Sequence, residues 1–311
     1  MAAMDKTAFT FPGQGRVAAA VAAPWADDPA GWPFARASER LGWDVLAAID
    51  AGAVVLSDTR KAQPAIYTHS AACCLLARAE GLRPDVVAGH SLGEYAALLA
   101  AGGVSFDAGL DLVVKRAELA WQAGGDGDMR VVLGLPDTVV RQLCRVVRRT
   151  VGRVFVANSN GPGQVVISGE REAVQAAGRL ALQAGAKRVL VLPIGGGFHT
   201  PLMRAARRPF KREALARIEL ARLEVPLVSN AKAKVVRGGR RAGRLLARQL
   251  AAPVDWTRCV ERLRWLGITR YIELGPGSVL EALIRRIDPR AVVTAASTPD
   301  EVRALAQTAR L

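Results

Sequence analysis

The chain has 311 residues, 50% of them hydrophobic but only 5% aromatic, so a large domain and a smaller one can be packed mainly from Ala, Val, Leu and Ile. No apolar run reaches the ~18 residues of a membrane span, and the opening MAAMDKTAFTF has neither a long apolar stretch nor a cleavage site, so a cytoplasmic protein with no membrane contact is expected. The formal charge of +15 could serve nucleic acid, anionic lipid or an acidic or phosphate-bearing partner. It forms no basic arm and accompanies no aromatic-rich binding motif, so no nucleic-acid partner is expected, but charge alone decides nothing.

Thr7-Ala8-Phe9-Thr10-Phe11 predicts a short strand running into Pro12-Gly13-Gln14-Gly15. Two glycines around Gln14 mark a tight turn where a ligand can approach the main chain. Residues 63–80 carry a long Ala/Leu helical pattern that includes His69, Cys73 and Cys74, all read as structural. With Cys144 and Cys259 far away, the four cysteines have no metal-ligand spacing and no disulfide framework; reduced thiols and no metal site are expected. Val86–Gly89 predicts a buried strand and Leu92–Ala101 the helix after it, which leaves Ser91 at their junction.

From Asp128 the rhythm changes. Strands are predicted at Met129–Leu135, Val154–Ala157, Gln164–Ser168 and Arg188–Ile194, with helices at Asp137–Thr150 and Glu172–Ala184 and a turn at Asn158-Ser-Asn-Gly-Pro-Gly163. That βαββαβ order is the split βαβ of a ferredoxin-like domain. It is read as a small domain at 128–195 inserted in a larger α/β domain formed by 1–127 and 196–311.

Gly89-His-Ser-Leu-Gly93 after a buried strand and before a helix is a nucleophile elbow. The sharp turn exposes the serine, and the following helix points its N-terminus at the site, favouring developing negative charge. A serine hydroxyl needs a base, and the chain has three histidines. His69 lies inside the early helix, and His90 adjoins Ser91, where side chains diverge and the ring lines or supports the site. His199, in the loop Gly195-Gly-Gly-Phe-His-Thr-Pro201, is left as general acid/base.

These residues resemble the malonyl-CoA:acyl carrier protein transacylases and the acyltransferase domains of polyketide synthases. The resemblance spans nearly the whole chain, through Phe11-Pro-Gly-Gln-Gly15, Gln63-Pro-Ala, Gly89-His-Ser-Leu-Gly-Glu-Tyr95, Lys115-Arg116, Asn158 to Gly169, Phe198-His-Thr-Pro-Leu-Met203, Gln249 to Trp256 and Glu273-Leu-Gly-Pro-Gly277. It implies an α/β-hydrolase-like core with a parallel sheet and a ferredoxin-like insertion. It also implies ping-pong transfer of a malonyl group from coenzyme A, through an ester on Ser91, to the phosphopantetheine thiol of an acyl carrier protein. The carrier would serve fatty-acid synthesis or a polyketide assembly line, with coenzyme A as substrate and no resident cofactor. A free-standing monomer is expected.

The resemblance assigns roles that spacing cannot. Arg116, which alone would read as a surface arginine, corresponds to the residue that forks onto the substrate carboxylate, a grip lysine could not copy. Gln14 and Leu92 match the positions whose backbone amides form the oxyanion hole. Gln249 matches the residue whose carbonyl orients the histidine, so no triad carboxylate is required. Gln63 matches a position near the site. Leu92 and Phe198 follow the malonyl-selective pattern, since a phenyl before the histidine crowds an α-methyl branch. Two departures stand out: Arg16-Val17 where relatives continue Ser-Gln, and Gly195-Gly-Gly197, expected to widen the pocket. The competing readings are a hydrolase that clears carrier proteins, a transferase of a larger acyl group between carriers, and a silent docking partner. Arg116 disfavours the first two, and Ser91, His199 and Arg116 together disfavour the third.

Overall fold

The computed structural model describes residues 6–15, 20–52 and 57–308. In chain order, β1 (Lys6–Phe11) leads through α1 (Trp32–Leu41) and α2 (Val45–Asp50) to the long α3 (Thr59–Ala79). Then come β2 (Val86–Gly89), α4 (Gly93–Ala100) and α5 (Phe106–Gly124). The middle of the chain holds β3 (Gly127–Leu133), α6 (Asp137–Thr150), β4 (Val154–Gly161), β5 (Gln164–Glu170), α7 (Arg171–Gln183) and β6 (Arg188–Val191). After α8 (Arg204–Pro209) follow β7 (Arg222–Ser229), β8 (Lys234–Gly238), α9 (Gly239–Gln249) and β9 (Val254–Asp255). The chain closes with α10 (Trp256–Trp265), β10 (Ile268–Leu274), α11 (Val279–Ile287), β11 (Val292–Ala296) and α12 (Pro299–Thr308).

The strands form two sheets, so the architecture is α/β. Six strands in the order β11-β10-β1-β2-β7-β8 run parallel except for β8, which closes one edge as an antiparallel hairpin with β7. Five strands in the order β6-β3-β5-β4-β9 are antiparallel except where β9 joins β4. A parallel strand covered on both faces must be apolar on both, and Val86-Val87-Ala88-Gly89 is buried at every position. α3 and α4 cover this sheet and are buried nearly all round, which their Ala-rich sequences permit by letting neighbours approach closely.

The second sheet has two differently used faces. α6 and α7 pack on one, where Val140, Cys144 and Val147 turn inward at i, i+4 and i+7. On the other face, Met129, Val131, Ala157 and Val166 pack with Ala120 of α5 and with Phe198 and Met203. That second cluster brings the loop carrying His199 against the sheet.

Several predicted bounds shift. β3 starts two residues before Met129, and β6 ends at Val191 rather than Ile194. The larger correction concerns Asn158-Ser-Asn-Gly161, expected as a turn and found inside β4. Two of these polar residues have side-chain partners: Ser159 Oγ donates to Asp137 Oδ1 at 2.7 Å, and Asn160 Oδ1 meets the His90 ring, while Asn158 Oδ1 is buried without a partner. Two register irregularities accommodate them, and only Pro162-Gly163 turn the hairpin. The strand β9, supplied to this sheet from near the C-terminal end of the chain, was not foreseen at all. Its two residues are too short to carry a periodicity. Arg16-Val17 lies outside the described residues.

Candidate active site

The strand-to-helix turn between β2 and α4 places Ser91 in left-handed backbone, φ 54°. Such a conformation costs a non-glycine residue about 1–3 kcal/mol and persists only where its surroundings enforce it. The flanking glycines make the turn possible. A Cβ on Gly93 would sit 2.1 Å from the Phe11 carbonyl oxygen, and one on Gly89 would strike the backbone of Gly93. The turn is also tied from outside: the Ser91 N–H donates to Asn230 Oδ1 at 2.7 Å, and the Ser91 carbonyl accepts from Gln249 Nε2 at 2.8 Å.

His199 reaches the serine from the loop after the second sheet. Its Nε2 lies 2.6 Å from Ser91 Oγ, and its Nδ1 lies 3.0 Å from the Gln249 carbonyl oxygen. A carbonyl can only accept, so the proton sits on Nδ1 and the Nε2 lone pair faces the serine. His199 also has left-handed backbone, φ 58°. Burial, then the charge of Arg116, depress its pKa to about 3, while the bond to Gln249 opposes the shift. The imidazole is therefore neutral and able to accept a proton throughout the physiological range.

Arg116, on α5, is 3% exposed, against its reading in isolation as a surface residue. Its Nη2 donates to Ser91 Oγ at 3.0 Å and its Nη1 to Gln63 Oε1, while Nε has no partner and the guanidinium lies over the Tyr95 ring. A buried cation with no carboxylate in salt-bridge contact is costly. The polar side chains around it form a relay: Gln63 Nε2 donates to Thr59 Oγ1 at 2.7 Å, which donates to Gln14 Oε1 at 3.0 Å. Gln63, expected only to lie near the site, thus bridges Arg116 to the loop of Gln14.

Gly13 packs that loop against the elbow, since a Cβ there would sit 2.6 Å from the His90 carbonyl oxygen. The backbone N–H groups of Gln14 and Leu92 bond no other group among the described residues. His90 turns away from the serine; its Nε2 pairs with Asn160 Oδ1 at 2.9 Å and its ring packs edge-on to Trp256. Burial lowers its pKa as well. His69, read as structural, sits among Trp25 and Phe34.

Ser91, Leu92, Arg116, His199, Phe198 and Gln14 all border one cavity of about 310 Å³ between the two sheets. Its remaining wall is largely apolar, with Met129, Val131, Val166 and Ile194 from the second sheet's side and Leu280 and Leu283 from α11. Gly195-Gly-Gly197, expected to widen this cavity, do not border it. Gly196 and Gly197 serve close packing instead, while a Cβ on Gly195 would meet nothing within 4 Å. A Cβ on Gly197 would lie 2.8 Å from Leu202, and one on Gly127 would lie 2.5 Å from the Gly197 nitrogen. Asn230 and Glu94 are the site residues that sequence reasoning missed. Glu94 lies in the elbow block, but nothing local signals that its side chain turns under the serine.

An α/β sheet, a serine on a strained elbow, a histidine held by a carbonyl and a buried guanidinium together define an acyltransferase. The chain belongs to the acyl transferase domain family, which it matches over residues 33–304. It is 37% identical over 310 residues to the malonyl CoA-acyl carrier protein transacylase of Bacillus subtilis, covering 98% of each chain. Among solved structures, the acyl-carrier-protein S-malonyltransferase of Burkholderia pseudomallei superposes with a TM-score of 0.91 at 37% identity, over 97% of this chain and 99% of that one. A malonyl-transacylase in complex with its type II polyketide synthase acyl-carrier protein superposes with a TM-score of 0.92 at 35% identity, over 98% and 100%.

Proposed function

We propose that the protein moves a malonyl group from coenzyme A, through an ester on Ser91, to the phosphopantetheine thiol of an acyl carrier protein of fatty-acid or polyketide synthesis. The observation that carries this is the buried Arg116 guanidinium 3.0 Å from a hydroxyl that is itself 2.6 Å from His199. A cation with spare N–H donors at the mouth of the nucleophile suits an acyl group that carries its own carboxylate. The matches to malonyl transacylases over nearly the whole chain support the same substrate.

In the first half-reaction His199 Nε2 takes the Ser91 proton as Oγ attacks the thioester carbonyl. The oxyanion rests on the N–H groups of Leu92 and Gln14, the C–S bond breaks, and the thiol of coenzyme A leaves with the proton from His199. In the second, the carrier's thiol gives its proton to His199 and attacks the malonyl ester. The C–O bond then breaks and Ser91 regains its proton. Gln249 orients the imidazole throughout. Leu92 and Phe198 narrow the cavity toward malonyl over methylmalonyl, and His90 and Gln63 line it. Coenzyme A enters as substrate, and the reaction calls for no further cofactor.

The larger sheet, with its nucleophile after β2, fits an α/β-hydrolase-like core. The strand order β6-β3-β5-β4 with α6 and α7 on one face fits a ferredoxin-like insertion at 128–195. A cytoplasmic location fits four cysteines that are all free and buried.

Intact-mass measurement after exposure to a mixture of acyl-coenzyme A thioesters tests the reading. A malonyl adduct is expected on the wild type, absent from Ser91→Ala and transferred to a carrier protein. An adduct of an uncharged acyl group, or release of free acid only, overturns it.

A further inference from the structure

Beneath the elbow lies a carboxylate that the reaction above does not use. Glu94, in the first turn of α4, is 1% exposed. Its Oε2 accepts from Gln249 Nε2 at 2.6 Å and from the Asn230 N–H at 3.3 Å. Each partner holds the strained serine. Gln249 spends its second amide proton on the Ser91 carbonyl and offers its own carbonyl to His199 Nδ1. Asn230 accepts from the Ser91 N–H and donates to the Gly89 carbonyl at 2.7 Å.

We propose that Glu94 is a positioning residue: its buried carboxylate locks the Gln249 and Asn230 side chains so that the serine turn and the histidine keep one fixed relation. The inference rests on Ser91 and His199 acting as nucleophile and base. A serine and a histidine both in left-handed backbone need an external clamp, and Gln249 is the residue that touches both. Its amide orientation is set by the acceptor on its far side. Glu94 is that acceptor, and only an ionised carboxylate offers full acceptor strength there.

The cluster also titrates. Glu94 Oε1 and Gln249 Oε1 are buried without hydrogen-bond partners. The charged and titratable groups facing Glu94 are Arg116 from α5, the Cys259 thiol from α10 and its own neighbour Tyr95. Burial pushes the carboxyl up to about 7, against the bonds from Ser229, Gln249 and Asn230 and the charge of Arg116. A raised value means the ionised, clamping form is lost as pH falls through about 7. His199, depressed to about 3, cannot produce a limb there.

The test measures the rate at which a fluorophosphonate labels Ser91, a readout that needs no particular acyl donor, between pH 5 and 9. The wild type should label with a limb near pH 7. Glu94→Gln should label more slowly, on the order of 10–100-fold at pH 8, and without that limb, while its circular dichroism stays native. Gln249→Met, which keeps the backbone carbonyl and removes the amide, should lose a similar factor, and the double variant little more. Malonyl transfer by Glu94→Gln should fall in kcat with KM nearly unchanged, and Glu94→Asp should restore the limb in part. Wild-type labelling with no limb near pH 7, or a limb kept in Glu94→Gln, overturns the proposal. So do additive losses in the double variant. A wild type that takes no label removes the nucleophile reading and this inference with it, whereas labelling without malonyl transfer removes only the proposed substrate.

Discussion

Arg116 Nη2 donates to Ser91 Oγ at 3.0 Å from a guanidinium that forms no salt bridge with any carboxylate among the described residues. Oγ accepts from the arginine and donates to His199, so cation, nucleophile and base are already aligned. A substrate carboxylate would supply a counter-charge in direct contact, which Glu94 beneath the elbow does not, and binding would relieve an existing electrostatic cost as well as making new bonds.

Replacing the arginine should therefore separate stability from selectivity. In Arg116→Met, acylation by malonyl-coenzyme A should drop on the order of 10²-fold or more, the loss of about 3 kcal/mol that a charge-assisted fork represents. Acylation by acetyl-coenzyme A should change far less. Because a buried cation without a salt-bridge partner is removed, the melting temperature should hold or rise. Parallel single-turnover assays and a thermal melt check both parts.

The same charge acts on the base. Burial is the larger cause of the depressed His199 value, and the positive charge of Arg116 is the second. Removing that charge favours the imidazolium, so the His199 pKa should rise in Arg116→Met toward the ordinary value. Only three histidines are present, so NMR titration of the imidazole carbons can resolve them. Since the folded value lies below the unfolded one, His199 contributes no stability loss above pH ~6.5 and a growing one as pH falls toward the folded value. That loss should be smaller in the variant.

Phe198 borders the cavity beside His199 and is 7% exposed. Phe198→Ser should shift the preference from malonyl toward methylmalonyl by about 10–100-fold, within the ~1–3 kcal/mol that one methyl group represents in a pocket. Competition between the two thioesters, read by intact mass, gives the ratio directly.

Gly93 tests the elbow as architecture. Gly93→Ala puts a methyl group 2.1 Å from the Phe11 carbonyl oxygen, where both sides of the contact are backbone and neither can rotate away. A loss of about 3 kcal/mol or more is expected. Denaturant unfolding should show it, and Gly42→Ala, where a Cβ meets nothing within 4 Å, is a control limited to the cost of left-handed backbone.

Much of this was legible in the residues. The elbow at Gly89–Gly93 could be read because close backbone approach demands glycine on both sides of a serine, and that demand is local. The bounds of α6 could be read because an amphipathic face repeats along the sequence. His199 emerged by elimination among three histidines, and the resemblance to a known family supplied Arg116, Gln14, Leu92 and Gln249.

The tertiary structure alone decided where polar residues go when they are buried. Asn158 to Gly161 looks like a turn by composition, and becomes strand where Asp137 and His90 supply partners to Ser159 and Asn160 from elsewhere in the chain. Gly195 to Gly197 looks like a gap in the pocket, yet none of the three borders it, and Gly196 and Gly197 prove to be packing positions. Glu94, Asn230 and Gln249 are far apart in sequence, and no periodicity connects them. They meet because β2 and β7 lie side by side and α9 ends over the elbow, so the parallel sheet brings together hydrogen-bond partners that the sequence leaves unmatched.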